Sequence, residues 1–322
     1  MAQAVRNIEP VKLAAMECAA SCVVTALRMA GKNEAYFLLD YWNLNYISRS
    51  LVSSKSVRLN ALEYMYGIRT EFCRLSPEKL QSLLRGGHMV LFVCLASGFD
   101  YFPANMLTHE ASGFEHVILL YAAGRTPNTF AMTDPIADYI GDVTAEQLYA
   151  ASVKKDELYC YVLTFPEPGT FREPSPKAVF AHIAERNWSQ YVKMNIQGGK
   201  TALERFRVDL EASLQWETNA RDRWIAQNNV TISSIVKTRS LFRQSVRELG
   251  LLPEGQLAAG EQRMERIIKL WTTVNFQLVK FKRNVQDEAL VASLLHKLEQ
   301  LAEEELGFLS FLRGIGRDFD AI

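Results

Sequence analysis

Residues 17–27 read Glu17-Cys18-Ala19-Ala20-Ser21-Cys22-Val23-Val24-Thr25-Ala26-Leu27, a run of small and apolar residues with a cysteine near its start. The pattern predicts a buried helix from about Met16 to Ala30 that ends at Gly31, a usual C-cap residue. Cys18 then lies in the first turn, where backbone N–H groups have no partner within the helix. The positive potential of that helix end favours a thiolate, and the same N–H groups can bind the oxyanion of a tetrahedral intermediate. The segment therefore predicts a nucleophilic cysteine.

A histidine and an aspartate follow on two apolar segments farther along the chain. His116 lies in a predicted strand from Glu115 to Tyr121, and Asp134 follows a second predicted strand from Thr129 to Thr133. A thiol at a helix start, then a histidine on one strand and an acid at the end of the next, is the chain order of papain-like cysteine enzymes. In such a triad the imidazole takes the thiol proton and the acid fixes the imidazole tautomer. We predict Cys18, His116 and Asp134 as the catalytic residues.

Each of these three residues also has a purely structural explanation. Cys18 can be a buried thiol on an amphipathic helix, and His116 can be a core histidine with satisfied hydrogen bonds. Asp134 precedes a proline, and an Asp-Pro pair often ends a strand and begins a turn. The order in which the three types occur is what favours a triad.

Length and composition indicate two domains. The 322 residues exceed one typical domain. The first half mixes helix and strand, and a proline-rich stretch over residues 165–176 is the predicted linker. Predicted strands cover residues 67–72, 88–95, 115–121, 129–133 and 158–164. Everything after the linker has helical periodicity, with predicted helices at 176–194, 200–216, 218–249, 261–287 and 288–313. The predicted fold is α+β, with a papain-like domain at residues 1–165 and an all-helical domain at 176–322.

Charge and cysteine usage exclude several classes of function. The chain has 36 basic and 36 acidic residues, a balance that argues against a dedicated nucleic-acid-binding protein. The longest apolar runs, such as Met89 to Ala96, are shorter than the roughly 20 residues that a membrane span needs. Five cysteines show no disulfide framework and no zinc-ligand spacing, so we expect free thiols, no metal and no cofactor. A cytoplasmic location is the simplest expectation.

Short motifs of the first half resemble two groups of papain-like enzymes. Glu17-Cys18-x-x-x-Cys22, the strand His116-Val-Ile-Leu-Leu-Tyr121 and Thr133-Asp134-Pro135 resemble the bacteriocin-processing, double-glycine cysteine peptidases. The stretch Phe99-Asp100-Tyr101-Phe102-Pro103 is closer to the butirosin-biosynthesis BtrH-type acyltransferases and to the Dieckmann cyclases that off-load tetramates. The resemblance covers about residues 10–165 and does not extend to residues 176–322.

Two positions depart from the peptidase pattern. Lys12 stands where the peptidases place the glutamine that completes the oxyanion hole, and Ala19 stands where they usually have glycine. Lys12, Asn7 or Gln3 could replace that glutamine. Loss of one oxyanion donor costs about 2.7–4 kcal/mol in related sites, and a thioester tolerates this loss better than an amide does.

The resemblance therefore implies acyl transfer or cyclising off-loading of a thioester in natural-product biosynthesis. The expected partner is an acyl- or peptidyl-carrier protein that presents a phosphopantetheine-linked substrate. Two alternatives stay open: a cysteine peptidase or amidase of the same fold, and a non-catalytic scaffold that has lost the chemistry.

Other residues near the predicted cleft are candidates for substrate contacts. Cys94 ends an apolar strand beside that of His116 and is either a rival nucleophile, a substrate-binding residue or a core residue. Asp100 and Tyr101 are predicted to bind substrate. His109 and Glu110, in the loop that follows, are expected to face substrate or solvent.

Overall fold

The chain is organised in two units that interleave along the sequence. The computed structural model describes residues 9–53, 59–103, 115–124, 126–154, 157–193 and 198–320. Contacts between residues group 1–34 with 57–173, and 35–56 with 174–322. The first unit contains a large antiparallel sheet with helices and the second is mostly helical, so the fold class is α+β.

The division into units differs from the predicted domains in one segment. The prediction assigns residues 35–56 to the first domain, whereas the structure groups them with the helical unit. The physical reason is burial of Trp42, whose ring centroid lies 4.9 Å from that of Phe242 and 5.3 Å from that of Phe308.

The first unit is built on a six-stranded sheet. Its strands are β3 (Arg69–Leu75), β4 (Met89–Leu95), β5 (Glu115–Ala123), β6 (Thr129–Asp134), β7 (Tyr139–Thr144) and β8 (Leu158–Thr164). They lie across the sheet in the order β3-β8-β4-β5-β6-β7, and all neighbouring pairs are antiparallel. The helices are α1 (Cys18–Met29), α3 (Leu59–Tyr66), α4 (Pro77–Arg85) and α5 (Ala145–Ala150). Helix α1 contacts β4, β5 and β6, which brings its start to the strands that carry the predicted histidine and acid.

Local signals explain where the helices of this unit begin and end. Helix α1 stops before Gly31, whose φ of +67° is easily reached only by glycine. Ser76 caps α4 by accepting a hydrogen bond from the Lys79 backbone N–H. Thr144 and Gln147 form the predicted capping box of α5.

The second unit combines a short hairpin with long helices. Its elements are α2 (Ala35–Leu39), β1 (Asn45–Ile47), β2 (Ser50–Val52), α6 (Pro176–Val192), α7 (Lys200–Ala212), α8 (Thr218–Leu249), α9 (Glu254–Arg283) and α10 (Glu288–Asp320). The predicted helix at 261–287 begins earlier, at Glu254, and that at 288–313 continues to Asp320. The predicted end of the first helix at Met194 lies outside the described residues.

A charged pair lies in the core of this helical unit. Arg239 on α8 and Glu305 on α10 are both fully buried, and Arg239 Nε donates a hydrogen bond of 2.9 Å to Glu305 Oε1. Trp271 Nε1 on α9 donates to the same oxygen, also at 2.9 Å. The Arg239 guanidinium lies over the ring of Trp42, 3.9 Å from its centroid. The pair thus joins three long helices to the segment around Trp42.

Across the part of the chain that the structure describes, none of the helices has the length and apolar character required to cross a membrane.

Candidate functional site

His116 occupies the centre of the candidate site. It lies on β5 directly opposite Cys94 of β4, and its side chain is fully buried. Its Nε2 is 2.7 Å from Asp134 Oδ2, a distance that fits a strong charge-assisted hydrogen bond. This contact joins two of the three predicted catalytic residues.

Asp134 is held in place from two sides. It ends β6, and its Oδ1 accepts hydrogen bonds from the backbone N–H groups of Ile136 at 3.0 Å and Ala137 at 3.3 Å. Its Oδ2 accepts the His116 bond and a longer one of 3.3 Å from the Tyr101 hydroxyl. The two backbone donors form the turn that the Asp-Pro sequence starts. A carboxylate fixed in this way also fixes the imidazole that it binds.

Cys18, at the start of α1, is the third predicted catalytic residue and lies beside the His116 ring. It is the first residue of the helix, and Glu17 at the N-cap provides no side-chain capping bond. The Cys18 side chain is hydrogen-bonded to the His116 ring, and this bond helps to raise the pKa of His116. The sulfur and the ring are therefore adjacent. Because Nε2 binds Asp134, Nδ1 is the ring nitrogen available to the thiol. Cys18 is only partly buried, whereas His116 and Asp134 are enclosed, so Cys18 is the most exposed residue of the three.

The environment of His116 favours the imidazolium form. Burial alone would lower its pKa, but hydrogen bonds to Asp134 and Cys18 and the negative charges of both residues outweigh burial and raise the pKa to about 9. At neutral pH the site can therefore hold an imidazolium between a sulfur and a carboxylate. That arrangement is suited to stabilising a thiolate and to returning a proton later.

Replacement of Asp134 by asparagine should lower the pKa of His116 from about 9 toward or below its ordinary value of 6.5, because burial remains while the carboxylate is lost. A proton NMR titration of the histidines checks this, with the His116 signal assigned by its absence in His116→Gln.

Since folding raises the pKa of His116, the imidazolium stabilises the native state below pH 6.5, and that contribution is lost as the pH rises through 9. This contribution is roughly 3 kcal/mol.

Asp138→Asn is the matched control for this titration. Asp138 lies four residues after Asp134 and is exposed, so loss of its carboxylate should leave the His116 titration unchanged. A His116 that still titrates near pH 9 in Asp134→Asn would contradict the role assigned to that carboxylate.

The other candidate thiols lie in the core. Cys94 is fully buried within the hydrophobic cluster of the sheet, and its Sγ donates to the His116 backbone carbonyl at 3.5 Å. Cys22 is also fully buried, and its Sγ donates to the Val117 carbonyl at 3.4 Å. Burial raises the pKa of both thiols well above the ordinary value. Cys94, which the sequence analysis names as a possible substrate-binding residue, is thus enclosed in the core, as is Cys22, and neither position suits a nucleophile.

Tyr101 and Asp100 differ in their relation to the triad. The Tyr101 ring stacks on Tyr139 with centroids 3.9 Å apart, and its hydroxyl donates to Asp134. Burial and the charge of Asp134 raise the pKa of Tyr101, so the hydroxyl stays protonated as a donor. Tyr101 thus supports the acid, a contact that the sequence did not predict. Asp100 is exposed in the preceding turn and, among the described residues, makes no hydrogen bond or ion pair with the triad.

Two further contacts border the site. Lys12 Nζ donates a hydrogen bond of 2.7 Å to the Ile136 carbonyl and so joins the segment before Cys18 to the turn after Asp134. Phe102 contacts the His116 ring edge-on, with centroids 4.9 Å apart. Asn7 and Gln3, the other candidates for an oxyanion donor, and the loop residues His109 and Glu110 lie outside the described residues.

Among the residues that the structure describes, no three His, Cys, Asp or Glu side chains are grouped so that they could hold a metal ion. No family model matches this chain, and no curated protein gives a significant match.

Proposed function

We propose that this chain is a papain-like cysteine enzyme that transfers, or releases by cyclisation, an acyl group held as a thioester on a carrier protein. The observation that supports the proposal is the convergence of Cys18, His116 and Asp134, with a partly buried cysteine beside an enclosed imidazole and carboxylate. Natural-product biosynthesis is the setting that the resemblance to BtrH-type acyltransferases and Dieckmann cyclases implies.

The first half-reaction forms an acyl-enzyme. The Cys18 thiolate attacks the thioester carbonyl carbon, and the carbonyl oxygen becomes an oxyanion that the N–H groups at the start of α1 can bind. As the intermediate collapses, the bond from the carbonyl carbon to the pantetheine sulfur breaks. The imidazolium of His116 donates its proton to the departing sulfur, so the products are an acylated Cys18 and a free pantetheine thiol.

The second half-reaction frees the enzyme. An amine or a carbon nucleophile attacks the acyl carbon, and neutral His116 accepts the proton that this nucleophile loses. The Cys18 thiolate then leaves, and the thiolate–imidazolium pair is restored. Asp134 keeps the ring oriented through both steps, because its own position is fixed by Ile136 and Ala137.

The choice of a thioester over an amide rests on the leaving group. A thiol leaves with little protonation, whereas an amine needs a proton in the transition state. Lys12, which replaces the glutamine of the peptidases, is bonded to the Ile136 carbonyl. A site with fewer oxyanion donors is better matched to the more reactive ester.

Intact-mass spectrometry tests the proposal directly. The full chain is incubated with a panel of acyl-carrier-protein thioesters, and we expect a mass increase equal to the acyl group, located by peptide mapping on Cys18. Cys94→Ala should retain the adduct and Cys18→Ala should lose it. Cleavage of peptide reporters without any acylation by carrier thioesters would instead favour a peptidase or amidase.

Iodoacetamide labelling at near-neutral pH separates an enzyme from a scaffold. Fast labelling of Cys18 that His116→Ala slows strongly supports an activated nucleophile. A Cys18 that reacts no faster than an ordinary thiol would contradict the proposal.

A further inference from the structure

Two cysteines outside the candidate site face each other across the sheet. Cys73 on β3 and Cys160 on β8 are directly opposite in the antiparallel register. The Cα atoms of such a pair are about 4.5 or 5.5 Å apart, depending on whether the two residues share hydrogen bonds. Both values fall within the roughly 4.4–6.8 Å that disulfides span.

The two side chains also share one face of the sheet and differ in access. Cys160 is fully buried in the hydrophobic cluster that includes Cys94, and Cys73 packs against the same cluster. Cys73 is partly exposed, because β3 is the edge strand of the sheet. Burial raises the pKa of Cys160, and the negative charge of Cys73 raises it further, as expected for neighbouring sulfurs. The pair thus has an outer thiol that reagents can reach and an inner one behind it.

We propose that Cys73 and Cys160 form a redox-active dithiol that a hydroperoxide oxidises reversibly to a cross-strand disulfide. This inference does not depend on the proposed function, because neither residue belongs to the triad. Both thiols are free in the structure, which is the reduced state of the pair.

The reaction balances in two steps. The Cys73 thiolate attacks one oxygen of hydrogen peroxide, the O–O bond breaks, and Cys73 becomes a sulfenic acid while hydroxide leaves and is protonated to water. The Cys160 sulfur then attacks the sulfenic sulfur, the S–O bond breaks, and a second water carries away the Cys160 proton. Two electrons pass from the thiols to the peroxide, and a small thiol such as glutathione returns them.

The surroundings of Cys73 determine how fast the first step runs. Burial and the nearby charge of Glu71 raise the pKa of Cys73, and Lys79 on α4 opposes them. The thiolate is therefore scarce at neutral pH, and oxidation should become faster as the pH rises toward 9.

Peptide mapping of the oxidised full chain tests the inference. The protein is treated with hydrogen peroxide at pH 8.5, alkylated, and digested without reductant. We expect one cross-linked peptide pair that joins Cys73 to Cys160, with a mass lower by two hydrogen atoms than the sum of the two peptides. Glutathione should restore both separate peptides.

Single variants and the remaining thiols serve as controls. In Cys160→Ser, Cys73 should accumulate as sulfenic or higher oxidised forms, because its resolving partner is absent. In Cys73→Ser, Cys160 should stay reduced, because it is buried. If peroxide leaves both thiols alkylatable in the native chain, or links Cys73 only to other molecules, then the two cysteines are core packing residues and the inference is wrong.

Discussion

Cys18→Ala is expected to abolish acyl transfer, with turnover reduced by at least about a thousandfold. The reason is that the two other thiols near His116 cannot replace the sulfur: Cys22 and Cys94 are fully buried and bonded to backbone carbonyls. Alanine at position 18 keeps the helix, since alanine has the highest helix propensity. The variant should therefore fold normally and form no acyl-enzyme. Turnover with a carrier-bound thioester and the far-UV circular dichroism spectrum measure the two properties together.

Cys22→Ala and Cys94→Ala are matched controls for this experiment. Each removes one thiol near His116, at positions where the pKa of the thiol is raised well above its ordinary value. Both should keep the acyl-enzyme and lose some stability, because each opens a small cavity in the core. Full activity in Cys18→Ala, or its loss in Cys94→Ala with an intact fold, would transfer the nucleophile role to Cys94.

Glu305→Ala should destabilise the helical unit by about 3–5 kcal/mol, the usual cost of leaving one member of a buried pair without its partner. Arg239 would remain fully buried with its charge uncompensated, and Trp271 would lose the acceptor of its indole N–H. All five tryptophans, at positions 42, 188, 216, 224 and 271, belong to the helical unit. Tryptophan fluorescence during urea unfolding therefore reports on this unit without a contribution from the sheet.

Glu304→Ala provides the comparison, one residue earlier on the same helix. Its carboxylate pairs with Arg266 at 3.3 Å, but both side chains are substantially exposed, so its loss should cost no more than about 1 kcal/mol. A double variant, Arg239→Met with Glu305→Leu, should recover most of the stability, since apolar residues of similar volume can replace a buried pair. Equal urea midpoints for Glu305→Ala and Glu304→Ala would show that the buried pair does not stabilise the unit.

Much of the sheet and its helices could be predicted because their signals are local. Strand β8 over Leu158–Thr164 has the predicted bounds, and the helix capped by Ser76 and that opened by Thr144 begin as predicted. Strand β7 was not predicted. It follows a turn and is an edge strand in which Gly141 and Asp142 interrupt the apolar pattern, so its position depends on pairing with β6.

The hairpin of β1 and β2 was also not predicted, for a different reason. Its two-residue loop places Ser48 and Arg49 at φ values of 51° and 61°, a conformation for which asparagine and glycine are the usual signal. The hairpin is held instead by contacts within the helical unit. The Asn228 side-chain oxygen accepts a hydrogen bond of 3.0 Å from the Leu51 backbone N–H. A contact between residues 177 positions apart cannot be predicted from a local sequence pattern.

The candidate site shows the same limit. The order of Cys18, His116 and Asp134 could be read from the chain, but the support from Tyr101 and the burial of Cys94 could not. Both depend on how the strands of the sheet are paired. The sequence of an apolar strand that ends in cysteine is the same whether that cysteine faces the core or a cleft.

The packing of Trp42 has a consequence for synthesis on the ribosome. Its aromatic partners Phe242 and Phe308 lie far downstream, and at about 5–20 residues per second the roughly 270 residues that separate it from Phe308 take on the order of tens of seconds to translate. During that interval the indole of Trp42 lacks at least one of its two aromatic partners. The core around Trp42 can therefore be completed only late in synthesis, after Phe308 has been added to the chain.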